Sequence, residues 1–83
     1  MTAKAFVLIE TEVGEGKTRG VVAALQNQKI KEIKSVDLVM GPYDIIVVVE
    51  HDDFNAIGNL ITEKIHAIPG VKRTVTCQAI RLP

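Results

Sequence analysis

The sequence has little cysteine, few aromatic residues and no net charge. Its 83 residues include one cysteine and no tryptophan, and ten Lys plus Arg are balanced by ten Asp plus Glu. A single thiol excludes an intramolecular disulfide and indicates a reducing compartment, so we expect a cytoplasmic protein. Because the basic residues form no stripe along the chain, direct binding of nucleic acid is disfavoured.

Long apolar runs and a signal sequence are missing as well. No stretch approaches 18 consecutive apolar residues, and residues 1–4 lack the pattern that begins a signal peptide. We therefore expect neither secretion nor a membrane partner. Hydrophobic residues nevertheless make up 47% of the chain, which suits one compact domain over residues 1–83.

The spacing of the apolar residues predicts six elements of secondary structure. β-Branched residues without breakers are typical of strands, and apolar residues three, four and seven apart are typical of helices. Gly41-Pro42-Tyr43-Asp44 suits a tight hairpin turn, and Asp52 and Asp53 can cap the second helix. In chain order the predicted elements are a strand at 3–10, a helix at 17–28, a strand within 30–40, a strand at 45–49, a helix at 54–68 and a strand at 71–82.

Two of the predicted strands are apolar on both faces, which is typical of central strands. In the first, Val7 and Ile9 alternate with Phe6 and Leu8, and residues 45–49 contain no polar side chain. The order of elements is that of a ferredoxin-like βαββαβ domain, an α+β fold with both helices on one face of an antiparallel sheet. The bare second face would expose a large apolar patch, so we expect a homodimer that packs sheet to sheet as an α+β barrel.

Motifs that could carry chemistry are weak. Residues 14–18, Gly-Glu-Gly-Lys-Thr, lie where a phosphate-binding loop would, but Thr11 stands where that motif requires glycine. His51 lies beside the helix-capping aspartates, and His66 is isolated from it, so neither indicates a metal site. Alternation in the last strand predicts that Cys77 faces the core as a small hydrophobe. We expect no catalytic residue, no metal and no cofactor.

Asp44, Thr74 and Thr76 are sparse polar residues on an otherwise apolar scaffold. A carboxylate accepts hydrogen bonds from an ammonium group, and hydroxyls can hold a carboxylate, so together they offer what a free amino acid needs. The alternative is structural: Asp44 locks its own turn, and the threonines are ordinary strand residues. From the pattern alone, the structural alternative is favoured.

Three segments resemble the C-terminal effector-binding domain of Lrp/AsnC-type transcription regulators, the RAM domain. The resemblance covers residues 1–83, and its most specific parts are the Gly-x-Tyr-Asp turn and the Gly-Val-x-x-Thr-x-Thr sequence that begins the last strand. It includes no counterpart of the family's helix-turn-helix half, so we expect a single effector-binding domain. The three segments are residues 36–44, residues 53–65 and residues 68–76.

The resemblance implies a function, partners and site residues. Family members bind amino acids between dimers that assemble into octamers or decamers. It places Gly41, Tyr43, Asp44, Thr74 and Thr76 at that cleft, which reverses the preference for a structural role. It also implies that this module acts on transcription indirectly, by changing its assembly or by joining full-length Lrp/AsnC regulators.

One feature departs from the family's turn, and one further class of function stays open. Pro42 has no backbone N–H, so capture of a ligand carboxylate by the turn is altered. The alternative function is that of a cofactor-independent enzyme, a monooxygenase or isomerase built on a small dimeric α+β barrel. Such a site needs converging acid and base groups, for which the chain offers Tyr43, Asp44, His51 and its arginines.

Overall fold

Four strands and two helices follow one another in the predicted order. The structure is a computed structural model that describes residues 2–80. The second helix ends in a π-helical turn, and the predicted end of the last strand, residues 81–82, lies outside the described residues. The elements are β1 (Ala3–Thr11), α1 (Lys17–Asn27), β2 (Ile33–Leu38), β3 (Ile45–His51), α2 (Phe54–Leu60) with its π-helical turn (Ile61–Ile65), and β4 (Val71–Gln78).

The strands form one antiparallel sheet in the order β2-β3-β1-β4. β1 and β3 are the central strands, as their two apolar faces predict. The β2–β3 hairpin closes through a hydrogen bond from Val39 N to Asp44 O of 2.9 Å. These features confirm the predicted ferredoxin-like α+β fold.

Both helices cover the same face of the sheet. Alternate residues of β1 and β3 point into this core, and apolar residues of both helices complete it. α1 packs mainly on β1 and β2, and α2 on β1 and β3, so β4 is the least covered strand. The fully buried side chains include Val7, Ile9, Val21, Ile45, Val47, Val49, Ile57 and Ile65.

The opposite side of the sheet, which we call the open face, is apolar at its centre. Phe6 and Leu8 of β1 lie opposite Val48 and Ile46 of β3 in the strand register. The Phe6 side chain is 36% exposed, and the other three are half-buried. A single protomer therefore leaves apolar surface in contact with water, as the sequence predicted.

The prediction that Cys77 faces the core is wrong. Cys77 pairs with Phe6 across the sheet and is exposed on the open face. The cause is a β-bulge in β4: Thr11 pairs with Val71 but the preceding residue, Glu10, pairs with Arg73. The extra residue reverses the alternation of the strand beyond it. Thr74 and Thr76 consequently lie on the helix side of the sheet.

Of the two predicted caps, Asp53 is the N-cap of α2. Its Oδ1 accepts a hydrogen bond of 3.0 Å from Asn55 N. We expect Asp53→Ala to lower the free energy of unfolding by about 1 kcal/mol, because a helix N–H loses its acceptor. Urea denaturation measures this, with Asp52→Ala as the matched control that changes it by less than about 0.5 kcal/mol. Equal losses in the two variants would contradict the assignment.

Candidate functional site

The start of β3 is tied to the end of β1 through Asp44. The backbone N–H of Asp44 donates to Ile9 O at 2.9 Å. Its carboxylate oxygen Oδ2 accepts two hydrogen bonds from Thr11, one from the backbone N–H at 2.9 Å and one from the hydroxyl at 3.0 Å. The side chain thus fastens the hairpin turn to a neighbouring strand, instead of locking the turn onto itself.

Thr18, in the first turn of α1, extends this connection. The hydroxyl oxygens of Thr11 and Thr18 are 2.6 Å apart. Because the Thr11 hydroxyl donates its single hydrogen to Asp44, the Thr18 hydroxyl is the donor to Thr11. Both hydrogen bonds from Thr11 end on Oδ2, whereas Asp44 Oδ1 accepts no side-chain or backbone hydrogen bond from the described residues. The carboxylate is held in place with one oxygen available.

The turn before Asp44 projects from the end of the sheet. Gly41 has φ +150° and no heavy atom within 4 Å of the position where a Cβ would stand, so backbone conformation, not space, requires glycine there. Pro42 is exposed, and Tyr43 is half-buried. The Tyr43 ring centroid is 5.8 Å from Cζ of Arg73. This contact links the turn to β4, on the other side of β1.

Beside Tyr43, the bulge in β4 directs two cations toward one carboxylate. Lys72 Nζ lies 3.6 Å from Glu10 Oε2, and Arg73 Nη2 lies 3.3 Å from Glu10 Oε1. Bulges commonly re-aim a side chain in this way. The side chains of Lys72 and Arg73 are 60% and 61% exposed, whereas that of Glu10 is 28% exposed. This end of the sheet therefore carries charged groups that are open to solvent.

The two threonines of β4 lie on the helix side of the same region. Thr74 pairs with Ile9 and is half-buried, and Thr76 pairs with Val7 and is exposed. Since β1 separates β3 from β4 and neighbouring strands are about 4.8 Å apart, Thr74 lies roughly 10 Å across the sheet from the start of β3. Thr76 is one side-chain repeat, about 6.6 Å, further along β4.

Comparison with known proteins identifies the domain. The family model described as the Lrp/AsnC ligand binding domain matches residues 4–83. The chain belongs to this family. An uncharacterized HTH-type transcriptional regulator of Pyrococcus furiosus, PF0250, is 38% identical over 72 residues, which are 87% of this chain and 47% of that protein. The chain thus spans about half the length of the curated relatives it matches.

Solved structures share the fold of this Lrp/AsnC domain. The crystal structure of FFRP-DM1 is 37% identical, has a TM-score of 0.79, and is matched over 94% of this chain and 99% of its own. The transcriptional regulator NMB0573 of Neisseria meningitidis, solved as an L-Met complex, has a TM-score of 0.82 at 16% identity, over 95% of this chain and 50% of its own. The sequence resemblance to Lrp/AsnC regulators is confirmed.

The predicted site residues of this Lrp/AsnC domain extend from the turn at one end of the sheet to Thr76, opposite the middle of β1, and line neither of two open concavities of the protomer. Two open concavities, of about 360 Å³ and 370 Å³, lie elsewhere. The first is lined by Thr2, Lys31, Glu32, Lys34, Glu50, His51 and Asp52, and the second by Thr2, Ala3, Lys4, Asp52, Phe54, Gln78 and Ala79. The predicted residues form an open surface, one side of a site at most.

The structure also shows the surroundings of the residues that the sequence raised as candidates for phosphate and metal binding. Thr11, at the position where a phosphate-binding loop has glycine, is 6% exposed and bonded to Thr18. His51 ends β3, roughly 23 Å along the strand from Asp44, and its Nδ1 accepts from Asp53 N at 2.9 Å. Within residues 2–80, no three His, Cys, Asp or Glu side chains are grouped to hold a metal. In the same part of the chain, no helix has the length and apolar character to cross a membrane.

Sequence reasoning missed four residues that shape this end of the domain. Thr11 holds Asp44 and is itself bonded to Thr18, although the two threonines are 33 and 26 positions away from Asp44 in the chain. Glu10 and Lys72 surround Arg73 through the bulge. The only available signal was polar residues at the end of an apolar strand, and that signal does not say which partner each one meets.

Proposed function

We propose that this Lrp/AsnC domain binds a free α-amino acid at the surface formed by residues 41–44, Thr74 and Thr76. The observation that carries the proposal is the state of the Asp44 carboxylate. Thr11, itself bonded to Thr18, fixes it through Oδ2, while Oδ1 has no partner among the described residues. A fixed, half-satisfied carboxylate at an exposed turn suits an ammonium group.

The proposed site is completed by a second dimer. The residues involved form an open surface rather than an enclosed pocket, so one protomer alone leaves a small ligand in contact with water. Most of a ligand's surface is buried in an effective binding site. A facing copy supplies the missing wall, and the ligand then favours the assembled form by linkage.

The assembly proposed has two levels. The open face, with Phe6, Leu8, Ile46 and Val48 at its centre, pairs with that of a second copy to form a dimer. The exposed turn and β4 threonines then lie between dimers, in an octamer or decamer. Chemically, the first contact is apolar and permanent, whereas the second is polar and responds to ligand.

We infer an indirect role in transcription. Proteins similar to this chain are HTH-type transcriptional regulators. The match to one of them, PF0250, covers 47% of its length. Residues 2–80 form one sheet with two helices and contain no helix-turn-helix unit. Ligand-controlled assembly, or mixed assembly with a full-length Lrp/AsnC regulator, connects this domain to transcription.

Thermal melting against the twenty L-amino acids at millimolar concentration tests this function. One amino acid or a few related ones are expected to raise the melting temperature, because ligand at 100 times its Kd stabilises by about 2.7 kcal/mol. L-Methionine belongs in the panel since NMB0573 was solved with it. The D-enantiomer of each active compound is the matched control, and sedimentation with and without ligand reports the change in assembly. A flat response to all twenty would contradict the proposal.

A further inference from the structure

The turn that presents Asp44 contains no cation for the other end of an amino acid. An α-amino acid at neutral pH carries a carboxylate as well as an ammonium group. Backbone N–H groups of a turn often hold such a carboxylate, but Pro42 has none, and the N–H of Asp44 is already bonded to Ile9 O at 2.9 Å. A cation from another element gives the carboxylate a charged partner that the turn does not contain.

Arg73 is the cation that the fold brings to this turn. Its Cζ lies 5.8 Å from the centroid of the Tyr43 ring, and Tyr43 directly precedes Asp44. Stacking on an aromatic ring orients the guanidinium plane and leaves its edge open. Two other cations near this end of the sheet, Lys17 and Arg19, make no ion pair or ring contact within the described residues.

The guanidinium of Arg73 also has hydrogen-bonding capacity in reserve. A guanidinium has five N–H donors, and the structure directs Nη2 toward Glu10 at 3.3 Å. Lys72 lies at 3.6 Å from the other oxygen of the same carboxylate, so two positive charges share one negative charge. The bulge that turns both cations to Glu10 thereby leaves one positive charge in excess.

We propose that Arg73 binds the α-carboxylate of the amino acid whose ammonium group is held by Asp44. This inference rests on the proposed function and adds a ligand-binding residue to it. The four charged side chains Glu10, Asp44, Lys72 and Arg73 sum to zero, which matches a zwitterion. Simple amines and simple carboxylates each satisfy only half of the site.

The test compares an amino acid with its primary carboxamide, which lacks the carboxylate charge. The amino acid with the largest melting shift and its carboxamide are titrated calorimetrically into the full chain and into Arg73→Gln. For the unaltered chain, the carboxamide is expected to bind at least about tenfold more weakly than the amino acid. Arg73→Gln should weaken the amino acid about ten- to a hundredfold, the range for hydrogen bonds to a charged group, and change the carboxamide less than about twofold.

Two further variants keep this test specific. Lys64→Gln, which removes an exposed cation from the π-helical turn, should leave both affinities unchanged. Arg73→Lys keeps the charge but not the paired donors, so it should restore only part of the loss. Without ligand, Arg73→Gln should melt like the unaltered chain, because exposed ion pairs contribute little to stability.

Each other outcome overturns the inference in a recognisable way. If Arg73→Gln weakens the amino acid and its carboxamide by the same factor, Arg73 acts through the packing of Tyr43 and not on the carboxylate. If the carboxamide binds the unaltered chain as tightly as the amino acid, no protein cation reads the carboxylate. If no amino acid of the panel binds at all, the proposed function fails together with the inference.

Discussion

Val48→Lys is expected to convert the proposed sheet-to-sheet dimer into a monomer of 9.1 kDa. Val48 lies in a central strand of the open face, between Phe6 and Ser35 in the strand register. In a sheet-to-sheet dimer the lysine ammonium would be buried among apolar side chains without a partner. Two-fold symmetry places two such charges in one interface. We expect the dimer dissociation constant to rise by about a hundredfold or more, equivalent to about 3 kcal/mol.

Sedimentation equilibrium at micromolar concentration measures this change. Gln26→Lys adds the same charge to the exposed side of α1, and it should leave the assembly intact. Cys77, exposed on the open face of a single protomer, gives a second measurement, since a thiol reagent should label it slowly in the dimer and quickly in Val48→Lys. An unaltered chain that sediments as a monomer would contradict the sheet-to-sheet dimer.

The order and faces of the central strands could be predicted from the sequence because their pattern is uninterrupted. Val7 and Ile9 face the core and Phe6 and Leu8 the open face, in strict alternation. The run of apolar residues that begins at Ile45 correctly indicated a central strand. Local pattern and tertiary structure agree in these strands, so the pattern alone was enough to predict which residues of each strand face the core.

The phase of β4 could not be predicted, because a bulge leaves no mark in the sequence. Lys72 looks like any exposed residue of an alternating strand, yet it is the additional residue that turns Cys77 to the open face. The π-helical turn was equally invisible: His66 N reaches Ile61 O at 2.7 Å within an apolar spacing that also fits an α-helix. Both are insertions of one residue into a regular ladder of hydrogen bonds.

The position of the turn that carries Asp44 was predictable from the sequence, but its contacts were not. Asp44 stood out as a polar residue at the head of an apolar strand, and its turn was placed correctly. Its partners come from β1 and α1, and such contacts depend on how strands and helices assemble rather than on local sequence. The same holds for Tyr43 and Arg73, which meet only because β3 and β4 flank β1.

Asp44→Asn is expected to weaken amino-acid binding strongly while leaving the fold almost unchanged. The amide oxygen of asparagine can take the place of Oδ2 and accept both hydrogen bonds from Thr11. Its NH₂ group then stands where Oδ1 was and opposes the ligand ammonium, so binding should weaken about a hundredfold. The free energy of unfolding should fall by less than about 1 kcal/mol. Calorimetric titration and urea denaturation measure the two effects separately.

Asp44→Ala separates the structural role of the carboxylate from its role in binding. Thr11 is 6% exposed, so removal of the carboxylate leaves its N–H and hydroxyl without their acceptor. The expected cost is about 1–3 kcal/mol of unfolding free energy, or a fall of roughly 4–8 °C in Tm for each kcal/mol in a domain of this size. If Asp44→Asn binds amino acids as the unaltered chain does while Asp44→Ala is destabilised, Asp44 is a structural residue alone, and the ligand must be sought elsewhere on the turn.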